Sequence, residues 1–325
     1  MRCSCSISQI FTAEFAENAE KKIKKTKRII SACSAVSAVK IMTKAVFLSD
    51  IPNQYRDPAR AKVAIIPVPY DGTSTWIKGA NKGPAAIIKA SETVENYDIE
   101  SDSEPYKVGI FTDKPVTENK SPEKMVAAVE KRVSEHLAKG KFPVLLGGEH
   151  SVSIGAIQAQ VKKYGKLTVL QLDAHGDLRD KYHGSKCNHA CIMARAQDIC
   201  KTVQVGIRSM DTSEKPRAKK SNMFFAENIA GKTGWNKKVL SLLKDNVYVT
   251  IDLDVFDPSI MPSTGTPEPG GLLWYELLDL LRPVFRKTNV TGFDVVEMCP
   301  NPNNKGPDFL AAKLVYKLIS YKFAK

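Results

Sequence analysis

The chain predicts an α/β fold, a single domain around a mostly parallel central sheet. Three observations carry this expectation. Short apolar runs of strand length alternate with capped or amphipathic helical stretches. No repeat and no linker-like segment interrupts the chain after Met42. The unusual polar clusters follow apolar runs, and open parallel sheets bind ligands at the carboxyl ends of their strands.

The elements follow in order. Val63-Ala64-Ile65-Ile66-Pro67-Val68 reads as a buried strand that ends at Pro67 or runs at an edge, because proline donates no hydrogen bond. A loop over 70–76 follows, and Gly83-Pro84 opens a helix over 85–90 with Pro in its first turn. A short strand is expected over 108–111. Ser121-Pro122 caps and starts a helix whose apolar face is Met125, Val126, Val129, Val133 and Leu137, ending at Gly140. Strand 142–146, a tight turn at Gly147-Gly148 and helix 152–163 come next. Strands at 167–172, 203–205, 247–252 and 290–295 are set by β-branched and apolar runs. Helices are expected over 236–244, 275–285 and 307–321.

With 325 residues, 43% of them hydrophobic, the chain can bury a large core. It has no apolar run of membrane-spanning length, so no membrane partner is expected. The net charge of +13 raises the question of nucleic acid. Residues 1–41 carry +5 of it, and the rest is mixed in sign, with no Arg-rich arm or basic-aromatic interleaving, so no nucleic-acid partner is expected. Seven scattered cysteines form no framework and point to free thiols in a reducing cytoplasm.

The chemistry concentrates in Asp173-Ala174-His175-Gly176-Asp177. After the apolar run 169–172, three ligands alternate, and an extended chain would place them on one side. Burying them is costly unless something pairs with them, and a metal is the economical partner. His150 follows the strand over 144–146. Asp252-Leu253-Asp254 ends another strand with two carboxylates at spacing two, and Asp294 and Glu297 follow the last. Clustered carboxylates raise one another's pKa, and two divalent cations would neutralise four of them. Mixed carboxylate and imidazole donors, without thiolate spacing, favour Mn²⁺ or a similar ion. Such a dinuclear site makes a nucleophile from water and polarises an electrophile.

These motifs resemble those of the ureohydrolase (arginase/agmatinase) family. Gly147-Gly148-Glu149-His150-Ser151, Asp173-Ala174-His175-Gly176-Asp177 and Asp252-Leu253-Asp254-Val255-Phe256-Asp257-Pro258 look like its three metal motifs. The loop Pro262–Gly271, the segment Gly79–Pro84, Val205-Gly206-Ile207-Arg208-Ser209 and Phe293-Asp294-Val295-Val296-Glu297 also fit, in order, over about residues 45–322. The resemblance implies an arginase-like three-layer α/β/α fold. It implies two Mn²⁺ ions per subunit held by His150, Asp173, His175, Asp177, Asp252 and Asp254. It implies that Asp177 also handles a proton, that His189 shuttles a proton near the leaving group, and that Glu297 pairs with a guanidinium substrate. The implied reaction is hydrolysis of a small guanidino compound to urea and an amine, most like agmatine to putrescine in polyamine synthesis. Guanidinobutyrase, arginase, formimidoylglutamase and a non-catalytic relative are the alternatives. A homotrimer or homohexamer is the implied assembly. Asn188 and Cys187 depart from the usual agmatinase loop, which has Ser and commonly an aromatic there.

Other polar residues have plainer readings. His183 is expected to be solvated and His136 to lie on the surface. Asp257-Pro258 reads as a turn, Asp294 as support behind the ligands, and Arg208 as a salt-bridge residue at a subunit contact. Asp71 and Trp76 either line the pocket mouth or build a structural loop. The spacing of Cys187, Cys191 and Cys200 fits no zinc pattern.

Residues 1–41 contain none of the chain's 19 Gly and 18 Pro, and the family motifs begin only after them. The expected organisation is an N-terminal extension over 1–41, disordered or spurious, and a catalytic domain over 42–325, with Met42 as the natural start. Mass spectrometry of the protein from its native source is expected to find its first peptide at Met42 or just after it; a peptide from 1–41 would overturn this.

Overall fold

The structure is a computed structural model and describes residues 46–244 and 246–324; the expected extension over 1–41 lies outside them. Eight strands among the described residues form one all-parallel sheet: β1 Val63–Val68, β2 Ile110–Thr112, β3 Phe142–Gly147, β4 Leu167–Leu172, β5 Lys201–Ile207, β6 Met223–Phe225, β7 Asn246–Asp252 and β8 Asn289–Val296. Their spatial order is β2-β1-β3-β8-β7-β4-β5-β6. Every residue of β1, β3 and β4 is buried, as required of parallel strands covered on both faces.

The helices are α1 Gly83–Ser91, α2 Pro122–Ala138, α3 Val152–Tyr164, α4 Ile192–Ile199, α5 Ala226–Ile229, α6 Trp235–Leu242, α7 Trp274–Lys287 and α8 Gly306–Phe323. They fall into two packed groups: α2, α3 and α4 form one, while α1, α8, α7 and α6 form the other. This is the three-layer α/β/α arrangement. Ser121 caps α2, its hydroxyl accepting from Lys124 N–H at 3.2 Å. The five apolar residues expected on α2's inner face are all buried.

Several boundaries differ from expectation for local reasons. β1 runs through Pro67 and lies inside the sheet. Its neighbour β2 pairs only with Val63, Ala64 and Ile65, so Pro67 lies beyond it, and the Pro67 carbonyl accepts from Val116 N–H in the following loop at 2.9 Å. β2 starts at Ile110 because Pro105–Val108 forms a 3-10 turn, ended by Gly109 at φ 84°. α4 and β6 were not expected. α4 grows directly from a 3-10 turn, with no N-cap signal of its own, and β6 is a three-residue edge strand.

His136 corrects the surface expectation. It is buried, 2.7 Å from Asp113 Oδ2, and packs against the Phe111 ring at 5.5 Å between centroids. At the last turn of α2 it lies one turn after Val133, on the side that faces β2. Burial alone would raise the Asp113 carboxyl. The hydrogen bonds of His136 and Lys114 N–H, with the Arg132 charge, outweigh it and hold the carboxyl at about 2. His136→Ala is expected to cost about 1–3 kcal/mol by removing a hydrogen bond to half-buried Asp113 and leaving a void beside Phe111, read as a lower urea midpoint. An unchanged midpoint would show the contact contributes nothing.

Candidate metal centre

The sheet order explains where the polar residues meet. β3, β8, β7 and β4 are adjacent at the centre of the sheet. His150 follows β3, Glu297 follows β8, Asp252 and Asp254 lie at the end of β7, and Asp173, His175 and Asp177 follow β4. Four neighbouring strand ends thus converge, although the chain visits them in the order β3, β4, β7, β8.

The groups are close. His150 Nδ1 lies 3.1 Å from Asp173 Oδ2, 3.2 Å from Asp177 Oδ2 and 3.3 Å from Asp252 Oδ2. His175 Nδ1 lies 2.8 Å from Asp254 Oδ2 and 3.6 Å from Asp173 Oδ1. Two sets of ligand atoms result, His150 with Asp173 and Asp177, and Asp173 with His175 and Asp254, each within 4.8 Å. Asp173 belongs to both. Asp252 joins the first set through its approach to His150.

The donor chemistry fits cations. His150 Nδ1 is buried without a hydrogen-bond partner among the described residues, yet three carboxylate oxygens face it. Its other nitrogen, Nε2, is 2.8 Å from Thr250 Oγ1, and that hydroxyl donates to Asp294 Oδ1 at 2.6 Å. Thr250 therefore accepts from Nε2–H and leaves the Nδ1 lone pair free for a metal. Asp294, buried and also bonded by Tyr248 Oη at 2.8 Å, stands behind the ligands as expected.

The backbone is shaped for the site. Asp177 and Glu297 take φ 53° and 64°, a region that non-glycine residues seldom occupy. Glu297 N–H donates to Gly148 O at 2.7 Å, and Glu297 Oε1 accepts from His150 N–H at 2.8 Å, so the ends of β3 and β8 are laced together. Gly148 also admits the loop after β1: a Cβ there would meet Tyr70 O at 1.8 Å. Asn188, the departure from the usual loop, accepts from Ala190 N–H at 3.0 Å and caps the short turn that carries His189.

The electrostatics follow from burial and like charge. Asp177 is pushed up to about 7 by burial and by Asp173. Asp252 is pushed well up by burial, Asp254 and Asp173, and Glu297 by burial and Glu149. For His150 burial works downward, but Asp173, Asp177 and Asp252 raise it well above its ordinary value. His189 is the contrary case, lowered to about 4 by burial and by the His150, His175 and Lys78 charges. The cluster draws in positive charge, and His189 beside it keeps its neutral form.

A cavity of about 300 Å³ opens onto these groups; His150, His175, Asp177, His189, Asp252 and Glu297 all line it. Every expected site residue except Asp173 and Asp254 reaches this cavity, and those two are buried within the candidate ligand sets. Tyr182, Arg179, Asp211 and Glu214 form further parts of its wall, with the Arg179 guanidinium 4.6 Å from the Tyr182 ring centroid. Thr75 lines the cavity where Asp71 and Trp76 were weighed. Asp71 instead accepts from Gly79 N–H, and Trp76 is exposed.

Other expectations resolve alongside. Asp257 builds a turn, its carboxylate accepting from Ser259, Gly270 and Gly271 N–H. Arg208 is no salt-bridge residue among the described residues: its guanidinium donates to the carbonyls of Asp254, Glu268 and Pro269 at 2.6, 2.8 and 2.9 Å, tying the Gly/Pro-rich loop to the end of β7. Sequence reasoning missed Gln171 and Thr250. Gln171 Nε2 donates to Asp173 Oδ2 at 2.7 Å. Each is a buried polar residue two positions before a candidate-ligand Asp, hence on the same side of its strand, and that spacing was the available signal.

Comparison with known proteins agrees with this geometry. A family model for the arginase family matches residues 61–320. The N(1)-aminopropylagmatine ureohydrolase of Synechocystis sp. is 39% identical over 274 residues, covering 81% of this chain and 90% of that protein. The agmatinase of Pyrococcus horikoshii is 32% identical over 262 residues, covering 80% and 91%. Among solved structures, the agmatine ureohydrolase of Thermoplasma volcanium superposes with a TM-score of 0.75 at 30% identity, covering 85% of this chain and 93% of that one.

Cation binding at this site is expected to release protons, because Asp177, Asp252 and the two imidazoles are raised by their surroundings and hold protons near neutrality. Titrating Mn²⁺ into chelator-stripped protein at pH 7 should give heats that vary with the buffer's ionisation enthalpy. Affinity should weaken about tenfold or more on going from pH 7 to 6. Buffer-independent heats would contradict the assignment.

Proposed function

This chain belongs to the arginase family, and from that premise we propose that it hydrolyses agmatine to putrescine and urea with two Mn²⁺ ions per subunit. The coarser statement needs no proposal: it is an agmatinase-like ureohydrolase, a hydrolase of carbon–nitrogen bonds in amidines. The observation that carries the finer reading is one cavity onto which two ligand sets sharing Asp173, the neutral His189 and the carboxylate of Glu297 converge.

In this reading His150, Asp173, Asp177 and Asp252 would hold one ion, and Asp173, His175 and Asp254 the other. Bound divalent cations supply Lewis acidity and lower the pKa of water toward neutrality. The residues do the rest. Glu297 orients the planar guanidinium by charge-assisted hydrogen bonds. A water oxygen bonds to the guanidinium carbon, and Asp177 takes the proton it loses. As the bond from that carbon to the alkyl-bearing nitrogen breaks, the proton left on the attacking oxygen passes through neutral His189 to that nitrogen, so urea and a free amine leave and Asp177 returns its proton to solvent.

Asp211 in the cavity wall, 3.5 Å from Arg179, offers a carboxylate to a cationic substrate tail such as agmatine's. A second reading is favoured by one observation: identity to the Synechocystis N(1)-aminopropylagmatine ureohydrolase exceeds that to the Pyrococcus agmatinase. In that reading the tail carries one further aminopropyl unit. The catalytic domain of this proposal spans 42–325. The four cysteines among the described residues are free, which supports a reducing cytoplasm. No helix among the described residues is long and apolar enough to cross a membrane. A homotrimer or homohexamer is the proposed assembly, and exposed Ile99 and Tyr275 offer apolar surface for it.

Urea release from the Mn²⁺-loaded protein tests the reading. Agmatine is expected to give the highest kcat/KM among agmatine, N(1)-aminopropylagmatine, arginine and guanidinobutyrate, with formamide release checked for formimidoylglutamate. A clear preference for N(1)-aminopropylagmatine would select the second reading. Asp252→Ala should lower activity by about 10³-fold or more, since it removes a ligand and with it the metal's contribution; unchanged turnover would refute the site.

A further inference from the structure

Gly176 stands between the candidate ligands His175 and Asp177, and its φ lies outside the left-handed region that favours glycine. The backbone therefore does not require a glycine here. The surroundings do. A Cβ at this position would lie 2.8 Å from Met210 Cγ, 3.3 Å from Met210 Cε and 3.2 Å from Glu214 Oε2. Gly176, Met210 and Glu214 all line the cavity.

Of these groups Met210 is the one that can give way. Gly176 is anchored through both its backbone groups: its N–H donates to Ser209 O at 3.1 Å, and its carbonyl accepts from Gln204 Nε2 at 2.8 Å. Glu214 is buried, and its carboxylate oxygens accept from Leu178 N–H at 3.2 Å and Asp211 N–H at 3.0 Å. Met210 has an unbranched side chain with three rotatable bonds. Behind it lies the close-packed core against which it rests, and its open side is the cavity. A side chain in place of the glycine would thus drive Met210 off the wall and into the cavity.

We propose that Gly176 is a specificity-determining residue: by leaving Met210 seated against the core, it keeps the cavity open past Asp211 for a guanidino substrate whose tail runs on beyond its first amine. This deepens the function proposed above and rests on it.

In that reading the guanidinium lies between the ligand sets and Glu297. The tail then follows the wall on which Gly176, Met210 and Asp211 lie. A tail with agmatine's single amine ends at the Asp211 carboxylate. A tail with a further aminopropyl unit has to continue beyond it, and Met210, the chain neighbour of Asp211, is the yielding part of the wall that it passes. Displacing Met210 therefore obstructs the longer tail more than the shorter one.

Urea release and crystallography test this together on the Mn²⁺-loaded protein. One methylene in a fitted pocket is worth about 10- to 200-fold in discrimination. Gly176→Ala is accordingly expected to lower kcat/KM for N(1)-aminopropylagmatine at least about tenfold more than for agmatine. Gly176→Ala/Met210→Ala, which gives the new Cβ room, should return the ratio to within about threefold of the parent's. Rates are taken per bound Mn²⁺, so that loss of metal from the adjoining ligands does not imitate the effect. A crystal structure of Gly176→Ala should show the Met210 side chain moved into the cavity, with the backbone bonds to Ser209 and Gln204 intact. If Gly176→Ala does not fold, Met210→Phe, which adds bulk to the same wall from the loop, should shift the ratio in the same direction, and an unshifted ratio there would count against the proposal equally. An unchanged ratio in Gly176→Ala, a ratio that the added Met210→Ala does not restore, or a Met210 that keeps its seat would overturn the proposal. So would a parent that acts on agmatine alone. A parent that releases urea from neither compound would overturn the function reading itself, and this proposal with it.

Discussion

The structure depends on one electrostatic constraint: Asp173, Asp177, Asp252 and Asp254 are buried within a few ångströms of two imidazoles. No folded protein tolerates that cluster without compensation. Around it the chain places donors that fix each oxygen. Ala174 N–H reaches Asp254 Oδ1 at 2.9 Å, Asp254 N–H reaches Asp252 Oδ1 at 2.9 Å, and His175 N–H reaches Asp173 Oδ1 at 2.6 Å. Asp173, Asp252 and Asp254 each thus spend one oxygen on the backbone and turn the other toward an imidazole nitrogen. Such preorganisation keeps the oxygens aimed at the centre, where they would otherwise swing apart under their mutual repulsion.

The sheet topology makes this convergence possible. After β3 the chain leaves a gap, builds β4, β5 and β6 outward, and returns to fill the gap with β7 and β8. The switch in direction falls between β3 and β4, and a crevice forms outside the carboxyl ends of strands at such a point. Filling it with two further strands brings the β7 aspartates and Glu297 against His150 and Asp173. A local hairpin or a sequential strand order could not bring β3 and β4 to bear on the last two strands together. The crossings, made by the intervening helices, are therefore as much a part of the site as the ligands.

The ligands were legible in the sequence because burial makes Asp and His conspicuous: each breaks an apolar strand at its end, at spacing two. The strands were legible for the same reason, as apolar runs bounded by turns. What was not legible depends on partners distant in sequence. His136 sits among Lys and Glu along α2, and only the arrival of Phe111 from β2 and Asp113 just after it makes it internal. Arg208 reads as half of an ion pair, but the loop after Pro262 folds back and offers it carbonyls. Pro67 reads as a strand terminus, and it is the shortness of β2 that spares it. In each case the residue's own chemistry was read correctly, while its partner was set by the fold.

Metal centre and cavity wall come from different sources, and this separates reaction class from substrate choice. The ligands sit on strand ends held by the sheet, whereas His189, Tyr182, Asp211 and Glu214 sit on loops. The loop carrying His189 is fixed by local devices: Asn188 caps its turn, and Thr73 from another loop seizes both its backbone and its ring. The position before His189 requires a short side chain whose oxygen accepts from the N–H two residues on, which Asn188 supplies and Ser would supply equally. Cys187 has no comparable duty to the metals, so it is free to vary with the substrate tail. Loop substitutions in this chain therefore change what enters the cavity long before they change what happens to a guanidinium carbon once it is there.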